Sequence, residues 1–197
     1  MKRFILTGTS GAGKTAILRQ LELDGFSVVE EAATDVIVLE QAQGVAEPWT
    51  RSSFIDSIVD LQRQRQVRAS YAPEEVQFNE VQFNEVQFNE VQFHDRSVIC
   101  TAALAVYLGY PVSSTLAREL ERIQTESIFQ KCVFFIRSLG FITPTPARRI
   151  TFAESLHFER VHEETYRNLN YEIVPIEPGG LSERVAAIKS AIRALKA

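Results

Sequence analysis

Sulfur and indole are scarce in this chain: 197 residues contain two cysteines, one methionine and one tryptophan. Cys100 and Cys132 both stand among apolar neighbours, where a free thiol packs as a small hydrophobe. No apolar run approaches the ~20 residues of a membrane helix. The apolar start after Lys2-Arg3 is cut at Thr7-Gly8, well short of the roughly 7–15 residues of a signal-peptide core. A basic excess is missing too. Formal net charge is -4, and Lys and Arg are spread along the chain, which argues against nucleic acid as the main partner. These absences set an expectation of a cytoplasmic protein with no membrane and no nucleic-acid partner.

Apolar residues, in contrast, make up 45% of the chain, enough for a full core, and the length fits one domain over 1–197. Short apolar runs alternate with helical patterns. Strands are expected at Arg3–Thr7, Phe26–Val29, Val91–Arg96, Cys132–Ile136 and Tyr171–Ile176. Helices are expected from Ala16 to Leu23, Ala32 to Gln43, Thr50 to Ala69 and Thr101 to Leu108. Others run from Ser113 or Ser114 to Arg122, from a Thr151 cap to Asn168, and from Ser182 to Leu195. This alternation predicts an α/β fold with a parallel sheet and helices on both faces.

A tandem repeat interrupts the pattern. Glu75-Val-Gln-Phe-Asn79 recurs at Glu80 and Glu85, and a fourth copy from Glu90 ends in His94. Twenty residues in one strand would span about 66 Å, too long for a domain of this size. An odd period also turns Val and Phe to opposite faces in successive copies. Only the fourth copy leads into Asp95, so it is expected to be the internal strand. The first three then form an insert at about 75–89, as short hairpins or a loop, whose repeated Val and Phe carry a self-association risk.

The chemistry begins at Gly8-Thr9-Ser10-Gly11-Ala12-Gly13-Lys14-Thr15, a full match to G-x-x-x-x-G-K-[ST] between a strand and a helix. Chance would produce the pattern in a chain of this length on the order of 1% of the time. Glycines let successive backbone N–H groups wrap a phosphate, and the helix N-terminus adds partial positive charge. Lys14 reaches outer phosphates and the Thr15 hydroxyl suits Mg²⁺. Absence of an N-K-x-D base-reading motif favours ATP over GTP.

Further candidates lie at strand ends. Asp95 ends the Val91 strand, as a second metal-region acid or as a helix cap, and Arg96 beside it could stabilise charge on a transferring phosphoryl group. Glu30 and Glu31 end the second strand, at the sheet edge where ligands bind. Glu31 is preferred as a base for an attacking hydroxyl, against a solvated acidic helix start. Arg148 and Arg149 lie in a Pro-bounded loop as lid arginines or as exposed charges. Trp49 could stack on a flat acceptor or simply pack, and Arg63, Arg65 and Arg68 read as a solvated helix face. His94 lacks the companions of a metal site.

The segments Thr7–Thr15, Val28-Val29-Glu30-Glu31-Ala32-Ala33, Phe93-His94-Asp95-Arg96-Ser97, Phe158-Glu159-Arg160 and Tyr171–Val174 together resemble the small P-loop kinases of nucleoside and nucleotide type. Within these the chain is most similar to a bacterial predicted-ATPase family that includes ribosylnicotinamide-kinase-like domains. The resemblance implies a five-stranded parallel sheet, ATP as donor, Mg²⁺, and a nucleoside-like small-molecule acceptor over the strand ends. Lys14 and Thr15 would take the triphosphate and metal, Asp95 the metal region, Glu31 the proton, and Arg148 and Arg149 the lid. The repeat before the Asp95 strand departs from the family pattern. Two functions follow: a small-molecule kinase, or an ATPase switch acting on a protein partner.

Overall fold

The computed structural model describes residues 1–9, 11–71, 91–140 and 151–195. Five parallel strands form one sheet: β1 (Lys2–Gly8), β2 (Ser27–Val29), β3 (Val91–Asp95), β4 (Cys132–Ile136) and β5 (Glu172–Ile176), in the order β2-β3-β1-β4-β5. Helices α1 (Lys14–Leu23) and α7 (Leu181–Ala194) cover one face. Helices α3 (Ser53–Ser70), α4 (Val98–Leu108), α5 (Ser114–Thr125) and α6 (Phe152–Asn168) cover the other. Helix α2 (Ala33–Ala42) adds a smaller cluster beside α3, with Val36 against Phe54 and Ile58. This is the α/β sandwich expected from the alternation of strands and helices.

The central strands have apolar residues on both faces, as a covered parallel sheet requires. Phe4, Phe93 and Phe134 stand side by side toward α1 and α7, with ring centroids 5.6 to 6.3 Å apart. Ile5 and Val133 face the opposite layer. Both cysteines are free and buried.

The fourth repeat copy is β3. Phe4 pairs with Phe93 and Leu6 with Asp95, so the strand enters the sheet in the frame that brings Asp95 beside the end of β1. Gln92 is buried and ties the start of β3 to the end of α3. Its Oε1 accepts from Arg3 Nε at 3.2 Å, and its amide nitrogen donates to the Ala69 carbonyl at 3.4 Å and to Ser27 Oγ at 3.1 Å. The first three copies, and with them the hairpin-or-loop question, lie outside the described residues.

Three element boundaries differ from expectation by three residues. Helix α4 begins at Val98 rather than Thr101, because Ser97 caps it: Ser97 Oγ accepts from Ile99 N–H at 3.2 Å. Val98, Ile99 and Cys100 are all buried, so the first turn is apolar all round and shows no period to read. Pro48–Thr50 is a separate 3-10 turn, and α3 starts only at Ser53. Ser113 caps α5, accepting from Leu116 N–H at 3.1 Å, and the helix continues to Thr125. The capping box at Thr151 and Glu154 is present as expected.

Gly8, the last residue of β1, has a φ of 132°, and a Cβ there would sit 2.2 Å from the Ile136 carbonyl oxygen. Strand β4 therefore closes directly against the start of the phosphate loop, and only glycine permits it. Gly8→Ala is expected to cost more than about 3 kcal/mol. Urea unfolding of the variant against wild type measures it, and a loss under about 1 kcal/mol would contradict the contact.

Candidate functional site

The loop after β1 is an anion cradle with its protein partners left out. Gly13 precedes α1 in a left-handed conformation, φ 84°, and no side chain caps the helix. The first turn of α1 contains no acidic residue either, so its N–H groups remain open to an exogenous anion. Thr9 Oγ1 is buried without a hydrogen-bond partner among the described residues. Ser10 is outside the described residues; Gly8, Thr9, Gly11, Ala12, Gly13, Lys14 and Thr15 form the turn as the motif predicts.

Lys14 is folded back into this turn. Its Nζ donates to the Thr9 carbonyl at 2.8 Å and the Gly8 carbonyl at 3.1 Å. It is buried, and burial, with the Arg96 guanidinium, pushes its pKa down to about 7, against the pull of Asp95 and Glu31. A phosphate in the cradle would supply the countercharge that the backbone carbonyls only approximate.

Asp95 lies level with Leu6 across β3 and β1. Its Oδ1 is buried without a partner, and burial raises its pKa despite Lys14 and Arg96 nearby. The helix-cap alternative fails, since Ser97 occupies that role. The orphaned Asp95 oxygen and the hydroxyl of exposed Thr15, at the start of α1, are oxygen donors of the kind that suit Mg²⁺.

Arg96 has a φ of 68°, a strained value for a non-glycine residue, and its N–H still donates to the Leu6 carbonyl at 2.9 Å. The guanidinium NH1 lies 3.4 Å from His162 Nε2 on α6. His162 Nδ1 lies 3.0 Å from the Phe158 carbonyl, which can only accept, so Nδ1 carries the proton and Nε2 is free to accept from Arg96. Burial pulls the Arg96 pKa down, and Cys100, Glu31 and Asp95 together outweigh it, leaving the group above its ordinary value.

Glu30 and Glu31 part company after β2. Glu30 turns outward to an ion pair with Arg19. Glu31 turns toward α2, where its two carboxylate oxygens accept from Ala33 N–H and Thr34 N–H, each at 3.1 Å. It thus caps α2 and at the same time lines a cleft of about 350 Å³. Arg96 lies in the same cleft, with Trp49, Phe54, Tyr107 and Phe158 as its aromatic walls and Gln62 and Thr101 as polar groups. Trp49 is therefore in the cleft wall, and its carbonyl accepts from Tyr110 Oη at 2.9 Å.

Arg65 is a correction to the solvated-face expectation. Its guanidinium reaches across to the carbonyls of Glu30 and Glu31 and to the Asp35 carboxylate, so α3 fixes the β2–α2 turn that carries Glu31. Arg63 is largely solvated as expected. His94 is a buried strand residue bonded through Nε2 to Gln92 Oε1 at 3.0 Å. Among the described residues no group of three or more His, Cys, Asp or Glu could hold a metal ion by itself. Arg148 and Arg149 lie outside the described residues, so their lid role stays a sequence expectation. Sequence reading gave no site role to Gln62, Tyr107, Phe158 or His162. Each sits inside an ordinary helical pattern, and only the packing of α3, α4 and α6 brings them together.

Residues 3–184 match the family described as AAA domain. The chain belongs to that family. No curated protein matches it in sequence. Among solved structures, this AAA-domain chain is similar to a deoxyadenosine kinase from M. mycoides bound to dCMP and a flexible dCDP. The TM-score is 0.61 at 11% identity, covering 98% of this chain and 99% of the other. It is also similar to NadR in complex with NR, with a TM-score of 0.60 at 18% identity, and to NadR with NAD and AMP-PNP, 0.60 at 20%. In both NadR cases the match covers 98% of this chain but 49% of the other, so the chain spans about half of NadR. At these identities the likeness shows the fold alone. Among the described residues no helix is long and apolar enough to cross a membrane.

Proposed function

We propose that this AAA-domain chain is a small-molecule kinase that transfers the terminal phosphoryl group of ATP to a hydroxyl of a nucleoside-like acceptor. The observation that carries the reading is the cleft shared by Glu31, Arg96 and four aromatic side chains. A flat apolar ring suits the aromatic walls, and an acceptor hydroxyl can meet the Glu31 carboxylate in the same cleft. A nucleotide-state switch would need no such pocket.

In this reading the loop from Gly8 to Thr15 holds the triphosphate, and Lys14 leaves its two carbonyls for the outer phosphates. Thr15 and Asp95 would hold Mg²⁺, which screens charge between the outer phosphates when bound. Glu31 takes the proton from the acceptor hydroxyl as its oxygen attacks the terminal phosphorus and ADP departs. Arg96, held by His162, faces the charge that develops on the transferring group. dCDP and AMP-PNP in two of the three similar structures support a nucleotide donor, and dCMP and NR support a nucleoside-type acceptor. Residues 1–197 act as one kinase domain.

The test is ADP release from Mg-ATP with and without pooled nucleosides and nucleoside monophosphates, using Lys14→Ala as the blank. Acceptor-dependent release that the blank lacks is the expected result. Slow release indifferent to every pool would overturn the kinase reading and leave an ATPase switch.

A further inference from the structure

On the far side of the phosphate loop from the acceptor cleft lies a cation that the mechanism above does not use. Arg184, in the first turn of α7, is only 5% exposed. Its NH1 comes within 3.0 Å of the place a Cβ on Gly13 would occupy, so the guanidinium lies directly against the phosphate loop. Its NH2 donates to the Arg137 carbonyl at 3.3 Å, and its Nε is buried without a partner. Among the described residues no carboxylate pairs with it. Arg137, by comparison, engages both Glu159 and Glu163.

A buried guanidinium without a countercharge is costly, and burial holds the Arg184 pKa below its ordinary value. Its place in the sheet indicates what would relieve that cost. The acceptor cleft, with Glu31 and Arg96, lies on the β2–β3 side of the loop. A triphosphate in the loop must turn its terminal phosphate toward that side. Its inner phosphate and nucleoside therefore leave toward β4 and β5, the side from which Arg184 approaches.

We infer that Arg184 is a donor-binding residue whose guanidinium pairs with the inner, α-phosphate end of the nucleotide in the phosphate loop. The assignment rests on the ATP-donor reading above but not on the identity of the acceptor. It predicts a signature in binding alone. An α-phosphate contact is common to ATP and ADP, whereas Arg96 acts on the terminal phosphate that ADP lacks.

The experiment is calorimetric titration of the wild-type chain and R184M with Mg-ATP and Mg-ADP, with melting of each protein without nucleotide. Methionine keeps an unbranched stem for packing and removes the charge. R184M is expected to weaken both nucleotides by about tenfold, leaving their affinity ratio unchanged. Its melting temperature without nucleotide should equal or exceed that of wild type, since a buried unpaired charge has gone. Affinities within twofold of wild type, or a loss confined to ATP, would overturn the assignment. If R184M does not fold, R184K decides: binding within threefold of wild type supports a charge contact, and a tenfold loss for both nucleotides refutes it. A wild-type chain that binds neither nucleotide removes the donor reading and this assignment together. Wild-type binding unaffected by R184M removes this one alone, and failure of every acceptor pool touches only the kinase reading.

Discussion

Glu31→Gln is expected to lower acceptor-dependent phosphoryl transfer by 10²-fold or more, on the order of what general-base removal costs, while ATP affinity stays near that of wild type. The separation follows from where the carboxylate stands. Glu31 lines the acceptor cleft beside Arg96, not the phosphate loop, so it touches the attacking group and not the donor. It already accepts two backbone N–H bonds from α2, and a carboxylate has further lone pairs with which to take a proton. Glutamine keeps one acceptor oxygen for Ala33 or Thr34, so the α2 cap is weakened rather than lost, at about 1 kcal/mol. Steady-state kinetics with a turned-over acceptor, ATP titration and urea unfolding of the same protein separate the three effects. A variant that retains a tenth of wild-type turnover would exclude Glu31 as the base. Equal losses in turnover and in ATP binding would mean instead that the β2–α2 turn collapsed and took the loop with it.

A second large effect concerns acid. His94 and His162 are both buried, and burial, with Arg3 beside His94 and Arg96 beside His162, holds each pKa down to about 3. The folded state therefore keeps both rings neutral in a range where the unfolded chain, near pH 6.5, takes up two protons. A folded pKa below the unfolded one contributes stability that is complete above the unfolded value. That stability is lost as pH falls from about 6.5 toward 3. At about 1.4 kcal/mol per pH unit for each proton, two such shifts remove several kcal/mol. That is a large share of the ~5–15 kcal/mol a domain of this kind has. Glu163, which its Arg137 and Arg167 partners hold low against the opposing effect of burial, adds to the loss at lower pH, and the raised carboxyl of Asp95 acts with the opposite sign. Urea unfolding at pH 7, 6, 5 and 4 should show stability falling with a slope near two protons. His94→Asn, which substitutes the residue the other copies have, should bring the slope near one. A flat profile between pH 6 and 4 would show that water reaches both rings.

The sheet and the phosphate loop were legible because each rests on a local pattern. The dense run Cys132–Ile136 had to be a buried strand, and Gly8 to Thr15 is a backbone shape written in glycines. Asp95 was legible by position, at the end of an apolar strand, and its orphaned oxygen supports that reading. The cleft was not legible. Phe158, Tyr107 and Gln62 come from three helices whose own periodicity says only that one face is apolar. Their convergence is set by how α3, α4 and α6 cross over the sheet. Arg65 misled for a related reason. A Gln-Arg alternation looks like a solvated face, and nothing local shows that one of its guanidiniums lands on the carbonyls behind Glu31. Arg184 has the opposite character, a lone arginine in a helix start, notable only because the fold buries it against Gly13.

The latch between Gln92 and the end of α3 bears on how the gene can vary. The Ala69 carbonyl and Gln92 Nε2 are 3.4 Å apart, so the end of α3 and the start of β3 are neighbours before any of the intervening chain is considered. The distance to be bridged is short whatever the copy number. Gain or loss of one whole unit upstream of Glu90 changes the connection by five residues and leaves Val91 to Ser97 in phase. Loop-closure entropy responds only logarithmically, by a few tenths of a kcal/mol per unit at about this length. Whole-unit changes in copy number are thus expected to be nearly neutral for the fold, while the terminal unit is fixed, because the Asp95-Arg96-Ser97 that follows it supplies a carboxylate, a guanidinium and the helix cap.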